Sequence, residues 1–253
     1  MRITVLGKSP AWQDADGACS GYLVQDGETI LLIDCGSGVF AKLRRAVDYG
    51  DVDAVVISHL HADHFLDLIA FGTALTFSPR QRDRSVRPRL ILPPGGTEVL
   101  GTIAAAIGQA GLFDNAFAGC EYDPAETVTV GPLALRFQPV PHYIPANAIE
   151  VCGASGGRFT FGADHAPTAA LDSFARATDL LFLEATLARP EPDGPRGHMT
   201  AGEAGAVAAG CRPQRLVLTH ISDELDHATA IADAQRAYDG PVEVARQGAV
   251  YEV

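Results

Sequence analysis

Short apolar runs at 2–6, 21–26 and 29–33 read as strands, and Asp26-Gly27 between the last two is a hairpin turn signal. From Asp34 the period changes. A Gly-containing loop, Cys35-Gly36-Ser37-Gly38, leads into a helical pattern over 39–49, and Ala54-Val55-Val56-Ile57 reads as a buried strand, which makes a βαβ step. A helix beginning near Asp63, a strand at 89–92 and a helix over about 97–110 follow. The second half starts again with strands, at about 126–130, 133–138, 148–152 and 158–162. It then alternates: a helix over 166–177, a strand at 180–183, a helix opened by Thr200 with Glu203 three residues on, a strand at 216–218, and a helix over about 224–238. Each half therefore runs strands first and α/β alternation second. Two such halves packed sheet against sheet, with helices outside, predict an α/β four-layer αββα sandwich.

Composition agrees with one folded unit. The 253 residues are 47% hydrophobic, and the 26 Gly and 16 Pro are spread along the chain rather than gathered into a linker. No repeat recurs, so residues 1–253 are expected to form a single domain. The net charge of −12 excludes a protein that grips a long polyanion by bulk charge. No secretory leader pattern opens the chain, and no run of about 18 apolar residues could span a bilayer. Five Cys without CxxC spacing suit reduced, mostly buried thiols and a cytoplasmic location.

The eight His carry the most information. His59, His61, Asp63 and His64 follow the strand at 54–57, at the kind of strand end where open α/β sheets bind ligands. On extended chain His59 and His61 project to one side, while Asp63 and His64 fall in the first turn of the next helix, so the four can diverge toward two metal ions. Left alone, such a cluster would suffer desolvation and mutual repulsion. His142, Asp164 and His220 also come just after strands. Imidazole and carboxylate without thiolate suit zinc first, with manganese and iron as further options, and argue against all-oxygen calcium or magnesium cages.

Ser58-His59-Leu60-His61-Ala62-Asp63-His64 resembles the His-x-His-x-Asp-His signature of the metallo-β-lactamase-fold hydrolases, and the order of His142, Asp164 and His220 and the early Asp34-Cys35-Gly36 extend the resemblance over the whole chain. It implies the same αββα fold and two zinc ions: one on His59, His61 and His142, one on Asp63, His64 and His220, with Asp164 bridging. Two metals roughly 4 Å apart can share a water, lower its pKa and polarise the reacting group. Phosphodiesters, lactones, thioesters and β-lactams are all open to that chemistry.

What protonates the leaving group discriminates among them. Leu183-Glu184-Ala185-Thr186 and Gly197-His198-Met199-Thr200 resemble the Glu-Ala-Thr and Gly-His-x-Thr motifs of the ribonuclease Z branch. That likeness implies a metal-bound hydroxide as nucleophile, His198 as general acid, Glu184 as its partner, and Asp63 orienting the water. Two features depart from ribonuclease Z. The segment 143–163, where that family inserts its tRNA-gripping arm, has room for a strand pair only, and no Pro-x-Lys-x-Arg-like loop follows the first motif. The expectation is therefore a small, arm-less phosphodiesterase for a cyclic nucleotide or an oligonucleotide end, without a long structured RNA or a membrane as partner. Dimers are common in such relatives, which leaves a homodimer open.

Other readings remain. A lactonase or thioesterase would use the same metals with an apolar acyl pocket, and a non-catalytic metal-binding subunit would keep the ligands alone. A flavodiiron-type oxidoreductase would need an acidic residue in place of His61 and a further flavin domain. Arg80, Arg82, Arg84, Arg87 and Arg89 read as a solvated loop that could otherwise steer phosphate; Trp12 and Phe65 read as packing, and His165 and His227 fall outside the site.

Overall fold

The computed structural model describes residues 1–81, 87–192 and 194–253. Its first half contains β1 (Arg2–Gly7), β2 (Gly21–Asp26), β3 (Thr29–Ile33), α1 (Val39–Ala46), β4 (Ala54–Val56), α2 (Ala62–Phe65), α3 (Leu68–Phe77), β5 (Arg89–Leu92), α4 (Gly96–Ala106), α5 (Leu112–Ala116) and β6 (Ala118–Glu121). The second contains β7 (Val128–Val130), β8 (Leu133–Val140), β9 (Ala146–Cys152), β10 (Arg158–Phe161), α6 (Leu171–Phe174), β11 (Leu180–Glu184), α7 (Ala201–Cys211), β12 (Leu216–Thr219), α8 (His227–Gln235), β13 (Val242–Val244) and β14 (Val250–Glu252). Among the described residues the strands form two sheets, ordered β14-β1-β2-β3-β4-β5-β6 and β13-β12-β11-β10-β9-β8-β7. In each, antiparallel pairing gives way to a parallel run, β3 to β6 in the first and β10 to β13 in the second.

The two-residue period of a strand divides the apolar residues between layers. Leu31, Ile33, Ala54 and Val56 of the first sheet meet Phe159, Phe161, Phe182 and Val217 of the second in the central core. Their neighbours Leu32 and Val55 face outward against Val39, Leu43, Leu68 and Phe71 of the helices, and Leu181, Leu216 and Leu218 pack beneath Ala204, Ala208 and Ala234. The result is the four-layer sandwich. Tyr22 on β2 crosses the central core to hydrogen-bond Thr219 on β12 at 2.7 Å.

Local signals explain several boundaries. Gly27 takes the positive φ that the β2–β3 hairpin requires. α7 begins at the expected capping box, with Thr200 N donating to Glu203 Oε2 at 2.9 Å and Glu203 N to Thr200 Oγ1 at 3.3 Å. The helix expected over 166–177 shrinks to the single turn of α6. Ala166 N is drawn to Pro141 O and Ala170 N to Thr168 Oγ1, so the chain on either side of Pro167 is held as loop. Among the thiols, Cys19, Cys35 and Cys211 are buried as expected, whereas Cys120 is exposed and Cys152 half-buried. No helix among the described residues is long and apolar enough to cross a membrane.

Candidate metal and acid–base site

The carboxyl ends of β3, β4, β8, β10, β11 and β12 lie at one end of the sandwich, and the chain leaving each carries a polar side chain into a common space. Three residues there, Asp34, Ala163 and His220, hold left-handed backbone with φ of 56°, 56° and 47° though none is glycine. Each follows a strand directly or within two residues, where it turns the chain sharply toward the site. Gly36 permits the closest approach: a Cβ on it would sit 1.8 Å from the carbonyl oxygen of Asp63. Cys35 N donates to His64 O at 2.7 Å across the same contact.

The imidazoles are oriented from behind. His64 Nδ1 donates to Asp34 Oδ2 at 2.7 Å, His59 Nδ1 to Ser58 Oγ at 3.1 Å, His142 Nδ1 to the Gly197 carbonyl at 2.7 Å, and His220 Nδ1 to Thr186 Oγ1 at 2.8 Å. These bonds leave Nε2 of each ring directed inward. There His142 Nε2 faces His61 Nδ1 at 3.0 Å, two basic nitrogens turned toward each other. His220 Nε2 lies 3.0 Å from Asp63 Oδ2 and 3.3 Å from Asp164 Oδ2, and His64 Nε2 lies 3.3 Å from Asp164 Oδ2. The side chains fall into two groups, His59, His61, His142 and Asp164, and Asp63, His64, Asp164 and His220, with the ligand atoms of each within 4.8 Å of one another. Asp164 belongs to both.

Buried His59 Nε2, His64 Nε2 and Asp164 Oδ1 have no hydrogen-bond partner. Orphaned polar atoms in a buried space are costly, and three converging ones fit divalent cations. For three of the rings the proton affinities fit as well, since a ligating imidazole must be neutral. Burial pulls the pKa of His59 well below the imidazole value, and it lowers those of His61 and His142 too. Burial also pulls His64 down, but the Asp164 and Asp34 carboxylates outweigh it and hold its pKa well above the usual value. For Asp164, burial pushes the carboxyl up, yet His220, His64 and His59 outweigh it and keep it well below the usual carboxylate range.

His198 stands beside these groups. Its Nδ1 donates to Glu184 Oε1 at 2.9 Å and lies 3.9 Å from Asp164 Oδ2. Fully buried Glu184 also accepts from His165 N at 2.7 Å, Thr186 Oγ1 at 2.6 Å and Met199 N at 3.1 Å, so its orientation is fixed. Burial lowers the His198 pKa, but the bond to Glu184 outweighs it and the net shift is upward.

All nine residues singled out as site candidates therefore converge. Sequence reasoning assigns no role to Asp34, Ser58 or Thr186, which orient the rings; an acidic residue ending a strand before Cys35-Gly36 was the available signal for the first. It also leaves out Glu191, whose Oε2 accepts from Gly197 N at 2.9 Å and His198 N at 3.2 Å. His165 contributes its backbone to Glu184, while His227 Nε2 bonds Ser222 O at 3.2 Å away from the cluster. Phe65 is buried in the packing beneath α1, and Trp12 is exposed. Arg80, Arg87 and Arg89 bind Asp48, the Asp114 carbonyl and the Thr129 carbonyl, whereas Arg82 and Arg84 lie outside the described residues.

Residues 29–221 match the model of a β-lactamase superfamily domain. The chain is 30% identical over 254 residues to the probable metallo-hydrolase YhfI of Bacillus subtilis (strain 168), with the whole of both covered. The crystal structure of the metallo-β-lactamase fold protein YhfI superimposes with a TM-score of 0.90 at 26% identity, covering 100% of this chain and 99% of that one. The ribonuclease Z of Myxococcus xanthus (strain DK1622) is 30% identical over 307 residues, covering 100% of this chain and 98% of the relative. A diphosphatase of the PhnP family shares the fold, with a TM-score of 0.80 at 22% identity and coverage of 100% and 97%.

Proposed function

The chain belongs to the β-lactamase superfamily and is a metallo-hydrolase of that fold, and from that premise we propose that it is a dinuclear phosphodiesterase for small or short substrates, a cyclic nucleotide or an oligonucleotide end. One observation carries the reading: the Glu184–His198 pair at 2.9 Å, next to the Asp164 carboxylate that both ligand groups share. His59, His61 and His142 would hold one ion and Asp63, His64 and His220 the other, with Asp164 between them. The nitrogen and oxygen donors suit zinc first and accept manganese or iron. When bound, two such ions would supply an activated water and offset charge developing on the phosphoryl oxygens.

The protein's own residues do the rest. With Nδ1 tied to Glu184, His198 has Nε2 free to give a proton to the leaving oxygen, and the Glu184 carboxylate favours the charged imidazolium before transfer. An alkoxide leaving group needs that proton far more than the thiolate of a thioester does. We assign Asp63 the further task of orienting the attacking water. The short β9–β10 hairpin between His142 and Asp164 and the net charge of −12 both favour a short substrate over a long structured RNA.

Steady-state turnover on phosphodiesters, cyclic nucleotides, lactones and thioesters, with metal content measured on the same sample, tests the proposal. Phosphodiesters should be preferred, and His198→Ala should lower their turnover about 10²- to 10⁴-fold while metal content holds. Unchanged turnover in that variant would remove the general acid, and a preference for lactones or thioesters would remove the phosphodiesterase assignment.

A further inference from the structure

Tyr143 immediately follows His142, and 51% of its surface is exposed. An exposed aromatic residue is ordinarily free to move, but this one is fixed on several sides. Its hydroxyl donates to Glu191 Oε1. Its ring lies directly on the Gly197 backbone, where a Cβ would come within 2.4 Å of it. The Gly197 peptide is itself pinned, its N–H donating to Glu191 Oε2 at 2.9 Å and its carbonyl accepting from His142 Nδ1 at 2.7 Å. The ring centroid lies 5.2 Å from that of His142 and 5.7 Å from that of His198.

A rigid, half-exposed aromatic surface thus borders the candidate proton donor. The group departing with the protonated oxygen must lie on the His198 side, within reach of this ring. Aromatic side chains held in place stack on planar groups at little entropic cost. The Glu191 carboxylate at the ring's edge is paired with the Arg196 guanidinium at 3.8 Å, so among the described residues this border holds no free cation to draw a further phosphate, and a neutral planar group suits the position better.

We propose that Tyr143 is a specificity-determining residue, its ring the stacking surface for an uncharged nucleobase or aryl group carried on the leaving side of the phosphodiester. This inference rests on the phosphodiesterase reading above in its oligonucleotide-end form, since a cyclic diester releases no separate group, with His198 facing the leaving oxygen.

The test uses two diesters with the same nucleotide on the retained side and either a nucleoside or methanol as leaving group, with kcat and KM measured for the wild type and for Tyr143→Ala, Tyr143→Leu and Tyr143→Phe. Loss of the ring in the Ala and Leu variants should raise KM for the nucleoside diester roughly 5- to 100-fold and change KM for the methyl ester by less than about twofold. Tyr143→Phe keeps the ring and loses only the bond to Glu191, so it should restore KM on the nucleoside diester. Equal losses on both substrates, or a Phe variant no better than Leu, would overturn the stacking role while leaving the phosphodiesterase intact. A wild type that hydrolyses a cyclic nucleotide and neither diester would overturn this inference alone, and one that hydrolyses a lactone or thioester and no phosphodiester would overturn the underlying reading and this one with it.

Discussion

Asp34→Asn isolates the orienting role of a carboxylate that is not itself a candidate ligand. Asp34 is fully buried; Oδ1 accepts from Ser58 N at 2.8 Å, and Oδ2 accepts from Ser58 Oγ at 2.8 Å and His64 Nδ1 at 2.7 Å. Asparagine keeps the shape and tolerates the positive φ, so the backbone need not move. An amide, however, offers one acceptor oxygen and one donor nitrogen. Whichever way it turns, its NH2 meets either the Ser58 N–H or the His64 Nδ1–H. The second case forces the His64 proton onto Nε2, the atom needed for the metal. Losing a buried charge-assisted hydrogen bond costs about 1.5–3 kcal/mol. At about 1.4 kcal/mol per decade that is a loss of roughly 10- to 100-fold in affinity for the ion on His64, the scale expected for an outer partner of a metal-binding histidine. The group of His59, His61 and His142 reaches Asp34 only through Ser58 and should change less. Competition titration against a chromophoric chelator, with metal content measured in parallel, resolves the two affinities. A folded Asp34→Asn protein that binds two ions as tightly as the wild type would refute the reasoning.

Three further outcomes are expected. Gly36→Ala would drive a Cβ to 1.8 Å from the Asp63 carbonyl and 2.9 Å from the Cys19 Cβ, and because backbone must yield, thermal unfolding should show a loss of about 1–3 kcal/mol or more; a wild-type melting temperature would contradict this. Tyr22→Phe removes the hydroxyl that joins the two sheets at Thr219, and denaturant titration should show a loss of about 0.5–1.5 kcal/mol, whereas no loss would mean that the bond is replaced without cost. Stripping the ions with a chelator should lower the melting temperature, since a ligand at a hundred times its Kd stabilises the folded state by about 2.7 kcal/mol; identical melts with and without chelator would argue against ion binding.

Much of the site was legible because its chemistry and its geometry coincide in the sequence. His59, His61, Asp63 and His64 are adjacent in the chain, and His142, Asp164 and His220 each follow a run whose apolar composition already marks a strand. Other parts left no such trace. β6 is exposed at every position and is a strand only because its backbone pairs with β5, so no apolar alternation announces it. The segment 166–177 has helical composition, yet backbone bonds to Pro141 and Thr168 override that preference over its first residues. Tyr143 and Glu191 were hidden for a related reason. Glu191 sits between two prolines in a stretch without periodicity, and its partners are remote or reached through backbone atoms.

Asp63 and His220 approach within 3.0 Å although 157 positions separate them along the chain, Asp63 in α2 beyond β4 of one sheet and His220 just beyond β12 of the other. An ion held by both would act as a detachable cross-link around a very long loop, joining halves that otherwise adhere through apolar contact. Chains made when metal is scarce would then open more often and be degraded sooner, because proteolysis follows the population of the open form. Metal supply would therefore set how much of the protein a cell keeps, in addition to how fast each copy works.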